Sequence, residues 1–239
     1  MNYNDYELDT TLRERELMAS AAMPVLMRKV YVWMTLALVI TGFTAYTVAN
    51  SDALLSMIYG NQAVLWGMII AEFALVIAIS AGINKLSLTT ATLLFVLYSI
   101  VNGATLSTIF FVYSRSSIGV VFFITAATFA VMAVYGYTTK SDLSSMGKIL
   151  MMALIGLVIA TIVNIFWQNS MFTMLLSYIG VLVFVGLTAY DTQKIKQMLY
   201  QAGDVSETSQ KMALLGALSL YLDFVNLFLY LLRIFGRRD

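Results

Sequence analysis

Cysteine and histidine are both missing from the 239 residues, and proline occurs once, at Pro24. Without cysteine there are no disulfides, thiolate ligands or cysteine nucleophiles, and the redox compartment cannot be read. Without histidine there are no zinc sites of the His/Cys kind, no histidine-dependent triads and no haem held by histidine. A single proline ahead of the first apolar run means that no span is expected to carry a proline kink. Charge is scarce as well. Only 11% of the residues are charged, against roughly 25% in an ordinary soluble domain. The net charge of +1 provides no basic stripe, so nucleic acid is not an expected partner. What remains is apolar: 60% of residues are hydrophobic and mean hydropathy is +0.84. The chain reads as an all-α integral membrane protein, with the lipid bilayer as its first partner.

A helix needs roughly 20 apolar residues to cross a bilayer core. Seven stretches qualify, 29–50, 63–83, 88–112, 118–138, 149–168, 171–193 and 212–235. Most connections are short, which implies one compact bundle of antiparallel neighbours. The exception is 194–211, "KIKQMLYQAGDVSETSQK", expected as a polar, exposed loop. Residues 1–28 mix acids and bases, lack the apolar core of a signal peptide, and read as a short, loosely ordered tail. Residues 29–239 form the membrane domain.

Lysine and arginine near span ends set orientation. Arg13, Arg15, Arg28 and Lys29 precede the first span. Lys85, Lys140, Lys148, Lys194, Lys196 and Lys211 lie in loops on that same side, while the opposite loops carry only Arg115. The expected arrangement is a multi-pass protein with a cytoplasmic N-terminus. Arg233, Arg237 and Arg238 disagree, because seven spans put them outside. A re-entrant last segment would resolve the conflict, but an apolar run without Gly or Pro favours a full crossing.

Three acids lie in or at the spans: Glu72, Asp191 and Asp223. An ionised Asp at a helix centre costs about 2.5–3.5 kcal/mol on insertion scales, so such groups turn inward, pair or stay protonated. A single neutral acid hydrogen-bonded to a neighbouring helix is the bland reading for any one of them. Almost no base lies in the spans, so the available in-membrane partner for one acid is another. Ser219, Asp223, Asn226 and Tyr230 recur at i, i+4, i+7 and i+11 and share one helix face. A polar stripe along a whole span must face protein or water. The last helix is therefore expected at the centre, although the same stripe would also serve a plain hydrogen-bonded seam. Thr188, Asp191 and Thr192 cluster at the end of the sixth span, but depth along the helices does not by itself bring Asp191 to Asp223. Asn102, with Gly103, Thr105 and Ser107, and Thr161 with Asn164, are weaker inward candidates that also suit interhelical packing.

Three stretches together resemble the Bax inhibitor-1 (transmembrane Bax inhibitor motif) family: "FAVMAVYGYTTKSDLSSMG" at 129–147, "GLTAYDTQKIK" at 186–196 and "ALSLYLDFVNLFLYLLRIFG" at 217–236. The resemblance covers essentially the whole chain past residue 20, and the short loops suit a bacterial member. It implies a seven-helix bundle with the last helix surrounded by the other six, and a pH-sensitive calcium leak across the membrane. In eukaryotes it implies suppression of cell death. By motif the family's paired aspartates map onto Asp191 and Asp223. Some bacterial members carry arginines at the end of the second helix that pair with the first aspartate. Here the corresponding "AISAGINKLS" has Lys85 as its only base.

Two carboxylates in a low-dielectric site cannot both ionise cheaply, so the pair would titrate as a unit. A shared proton would hold the sixth and seventh spans together at acid pH, and its loss would loosen the cytoplasmic end. The freed oxygens of Asp191 and Asp223 are hard ligands suited to Ca²⁺. The expected function is thus a pH-sensitive calcium leak of a bacterial inner membrane, with Ca²⁺ and protons as partners and no resident cofactor. Glu72, Asn102 and Asn226 would form a secondary polar pathway. A proton-coupled transporter using the same acids is one alternative. A non-transporting regulator that binds a membrane protease or another membrane protein is a second. An enzyme is not expected, because the GxGD pattern of intramembrane aspartyl proteases is missing around both aspartates.

Overall fold

The computed structural model describes residues 3–237, with side chains from residue 13 onward. In lipid, a backbone can satisfy its polar groups only within its own segment, so each apolar run becomes a helix. The helices are α1 (Tyr3–Ala49), α2 (Asp52–Tyr59), α3 (Gln62–Gly82), α4 (Leu88–Leu106), α5 (Ile109–Val112), α6 (Arg115–Thr138), α7 (Ser144–Trp167), α8 (Ser170–Ala202) and α9 (Glu207–Phe235). Seven spans among the described residues are long and apolar enough to cross a membrane, α5 continuing the span that α4 begins. The short α2 lies in the connection to α3 and closes a small cluster of Val48, Ile58 and Ala104.

The last helix is the core. Its most apolar window is 67% buried, against 39% or less for every other span. Ala217, Leu220, Tyr221 and Leu227 on it are 0% exposed. Its close neighbours are α1, α4, α6 and α8, whereas α3 packs mainly on α4, and α7 on α8. Four helices therefore enclose α9 tightly, rather than six. The remaining two face lipid over most of their surface, which suits their almost uniformly apolar sequences. The re-entrant alternative is also set aside, because α9 runs unbroken to Phe235. Its end then pairs with the start of α6. Ser114 N–H donates to the Arg237 carbonyl at 3.1 Å, and Arg237 N–H donates to Ser117 Oγ at 2.9 Å. Arg238 lies outside the described residues.

Two segments expected to be irregular are helical. The stretch before residue 29 is continuous with α1, and Ala19, Ala22, Leu26 and Met27 are buried in the bundle. Those positions are spaced by three, four and one, so they form an apolar stripe that the mixed charges around them obscure. Pro24 consequently sits inside α1. It removes the backbone donor that would have reached the Ser20 carbonyl, at a position where Ser20 is exposed.

The 194–211 segment is likewise not a loop. α8 continues to Ala202, with Ile195 and Leu199 buried one turn apart, and only 203–206 is irregular. Gly203, at φ +76°, ends the helix in the left-handed region that glycine adopts without strain. Asp204 and Ser206 then start α9: Ser206 Oγ accepts from Ser209 N–H, and Ser209 Oγ donates to Asp204 Oδ1 at 2.5 Å. Side chains join the other elements at this end. Glu207 Oε1 accepts from Leu88 N–H at 3.0 Å, Lys211 Nζ donates to the Leu86 carbonyl at 3.0 Å, and Lys29 Nζ donates to Gln210 Oε1 at 2.6 Å.

Candidate functional site

The α8–α9 hairpin sets which residues share a level. Its turn is centred near residue 205, so Asp191 on α8 lies level with Ser219 on α9. Asp223 follows about one helical turn, or ~6 Å, further along. Ser219 Oγ donates to Asp191 Oδ2 at 2.8 Å. Asp223 is 5% exposed, its Oδ2 is buried with no hydrogen-bond partner, and Asp191 is near enough to act on it electrostatically. The two carboxylates thus sit on the same seam, bridged in sequence by one turn of α9. The extension of α8 past 193 to Ala202 puts Asp191 about three turns from the end of its helix, and this closes most of the apparent depth mismatch.

The polar stripe of α9 does face α8, although not uniformly. Tyr230 stacks on Phe184 with ring centroids 5.8 Å apart. Asn226 does not reach across the seam: its Nδ2 donates to the Leu222 carbonyl of its own helix at 2.8 Å. Thr188 and Thr192 also bond backward, to Phe184 and Thr188 carbonyls. Lys85 is exposed and is not a partner of Asp191. The base acting on Asp191 is Lys194, whose ammonium lies 5.8 Å from the Tyr190 ring centroid.

Around the seam the helices approach closely. A Cβ on Gly136 of α6 would run into the Ala189 carbonyl of α8, and one on Gly147 of α7 into the Tyr190 ring. Gln193, 7% exposed, anchors the 139–143 connection from α8. Its Oε1 accepts from Leu143 N–H at 2.9 Å and its Nε2 donates to the Ser141 carbonyl at 2.8 Å. Ala189 and Tyr190, which precede Asp191 in "AYDTQ", are thus committed to packing, as is Gln193.

Glu72 and Asn102 belong to a separate centre. Asn102 Nδ2 lies 3.5 Å from Glu72 Oε2, and Asn102 Oδ1 accepts from Tyr221 Oη at 2.9 Å. Tyr221 Oη is also 2.7 Å from Thr41 Oγ1 on α1. Tyr221 and Thr41 escape a reading of the sequence alone. Tyr221 lies among leucines and reads as packing, and Thr41 is one of four threonines scattered along the first span. Thr105 and Ser107 bond carbonyls of their own segment, whereas Asn164 Nδ2 links α7 to Thr173 of α8 at 2.7 Å. No cluster of three or more acidic or other metal-binding side chains occurs among the described residues.

The family described as "Inhibitor of apoptosis-promoting Bax1" matches residues 23–239. Among curated proteins, the "Inner membrane protein YbhL" of Escherichia coli is 52% identical over 91% of this chain and 94% of its own length. An "Uncharacterized protein" of Borreliella burgdorferi is 44% identical over 97% of this chain and 98% of its own. An "Uncharacterized membrane protein" of Streptococcus pyogenes is 37% identical over 88% and 92%.

Proposed function

The chain belongs to the Bax inhibitor-1 family, and from that premise we propose that it is a pH-gated cation leak in which Asp191 and Asp223 act as one proton-sharing unit. The observation carrying this reading is the buried, unpartnered carboxyl of Asp223 on the α8–α9 seam beside Asp191. Isolated ionised carboxylates are not tolerated at such depth, so a proton held between the two is the arrangement that lets both stay buried. Losing it places like charges on adjacent helices in a weakly screened site. The seam then separates at the end where Asp191 and Ser219 meet.

Ca²⁺ is the proposed cargo. A resident Ca²⁺ takes roughly six to eight oxygens, and the seam supplies two carboxylates and the Ser219 hydroxyl. That donor set suits an ion in passage, so no cofactor and no catalytic residue are assigned. The name of the Escherichia coli relative supports a bacterial inner-membrane location, and the distribution of Lys and Arg near the span ends supports a cytoplasmic N-terminus.

Calcium flux from liposomes containing the full chain, with pH varied on each side, tests the reading. Leak is expected to rise as pH rises on the Asp191 side. Either Asp191→Asn or Asp223→Asn should flatten that dependence, and the double variant should resemble each single one, since the first change already abolishes the shared proton. Single variants that keep the wild-type profile would sink the gate and favour a non-transporting regulator. Saturable flux that requires a co-substrate would favour a proton-coupled transporter.

A further inference from the structure

Tyr221 and Asp223 lie two residues apart on α9, hence about 200° apart around its axis. Asp223 faces the seam with α8, while Tyr221 faces α1 and α4. The central helix therefore carries a second polar centre on its opposite flank, formed by Glu72 of α3, Asn102 and Ser99 of α4, Thr41 of α1 and Tyr221 of α9.

Counting hydrogens in that centre assigns its protonation. Thr41 Oγ1 is 3.0 Å from the Ser99 carbonyl and 2.7 Å from Tyr221 Oη. Tyr221 Oη is also 2.9 Å from the Asn102 amide. Three contacts thus involve two hydroxyls, which have only two hydrogens between them. If the Asn102 oxygen faces Tyr221, Tyr221 donates to it and Thr41 can donate to Tyr221 or to Ser99, but not to both. One short contact then lacks a hydrogen. An Asn amide fills the same space in either orientation. Turned over, its N–H donates to Tyr221, Tyr221 donates to Thr41, and Thr41 donates to the Ser99 carbonyl. Its oxygen then faces Glu72 and needs a donor, which Glu72 provides only when protonated. Every contact then has one hydrogen, with Glu72 Oε2 donating toward Asn102, while Oε1 becomes the carbonyl oxygen of a neutral acid and is without a partner in either orientation.

We propose that Glu72 is a second proton-binding site, distinct from the aspartate pair, whose proton completes a one-directional chain from Glu72 through Asn102, Tyr221 and Thr41 to the Ser99 carbonyl. Thr105 lies beside Glu72 but donates to the Val101 carbonyl at 3.2 Å. The titratable groups facing Glu72 are Tyr98 of α4 and Tyr221 of α9. On α2, which packs against α3, Asp52 is exposed and the Tyr59 hydroxyl is held by the Ala104 and Thr105 carbonyls. The chain joins α3 and α4 to α9 and α1, on the flank of the central helix opposite the aspartate pair. The proposal does not rest on the leak reading.

Isotope-edited infrared spectroscopy of the full chain in liposomes at neutral pH tests it. With ¹³C in the glutamate carboxyls, the carbonyl stretch of a protonated acid is expected to shift in the wild-type protein. That band should vanish in Glu72→Gln and persist in Asp191→Asn and Asp223→Asn. Tyr221→Phe, or Thr41→Val if the first does not fold, should move the band to higher frequency by shortening the chain. Absence of a glutamate-sensitive band at neutral pH in the wild type would overturn the site. Persistence of the band in Glu72→Gln would do the same, and a band unmoved by the Tyr221 or Thr41 change would overturn the chain.

Discussion

Asp204 makes the α8–α9 turn sensitive to acid. Its carboxylate accepts from the Ser209 hydroxyl at 2.5 Å and from the Ser206 hydroxyl and N–H at 2.7 and 3.1 Å. The Ser209 bond foremost, then those from Ser206, hold this carboxyl below the usual carboxylate range, because hydrogen bonds to the charged form favour it. An acid depressed by folding adds stability that is complete above its unfolded value, about 3.9. That stability is lost as pH falls through the lower folded value. Asp204→Ala should therefore lower the melting temperature in detergent at neutral pH, and the gap to wild type should shrink as pH is taken below that window. A gap that stays constant with pH would mean that the carboxylate's charge is not what starts α9. The residue is fully exposed, so the effect is expected to be small and screened by salt.

Among the elements, α6 and α8 meet where glycine permits it. Gly136 lies against the backbone of Ala189, two residues from Asp191, and a carbonyl cannot move aside as a flexible side chain would. Gly136→Ala should cost about 1–3 kcal/mol through overpacking, outweighing the roughly 1 kcal/mol that alanine gains in helix propensity. Gly156 of α7 has open space where a Cβ would stand, with nothing within 4 Å, so Gly156→Ala should leave the melting temperature unchanged or raise it. Thermal unfolding of both variants in one detergent checks the contrast. Equal responses would show that close approach of α6 and α8 does not limit stability. The same close approach sets where the α8 backbone beside Asp191 lies against α6.

For the whole molecule, an odd number of crossings puts the two ends of the chain on opposite faces. Lys29, Lys196 and Lys211 engage partners at the face where α1 enters. Two arginines at the other face lie against aromatic rings: Arg115 is 5.8 Å from the Tyr46 ring and donates to Asn50 at 2.9 Å, and Arg233 is 5.4 Å from the Tyr230 ring. These contacts give Arg115 and Arg233 local partners at that end. A reporter fused after Asp239 should be accessible from outside, and one inserted at 203–206 only from the cytoplasm. Both reporters on the same side would contradict seven crossings.

The seven spans and the class of protein were legible in the sequence because hydropathy over some 20 residues depends on the solvent alone and not on which helices meet. The α9 stripe of Ser219, Asp223 and Tyr230 was legible for a related reason: helical periodicity turns spacing directly into a shared face. Asn226, on that same stripe, shows the limit of the method, since a side chain that can reach its own backbone need not cross to a neighbour. The helical stretch before residue 29 and the extension of α8 past 193 were hidden by polar residues interleaved with Leu26, Ile195 and Leu199, whose burial exists only once the helices are packed together. Only the tertiary structure brought Asp191 level with Ser219, because that level depends on where the 203–206 turn falls. It alone made Tyr221 the hub joining Thr41, Asn102 and Glu72. Those contacts join residues far apart in the chain, and their geometry is set by helix packing, which no local pattern encodes.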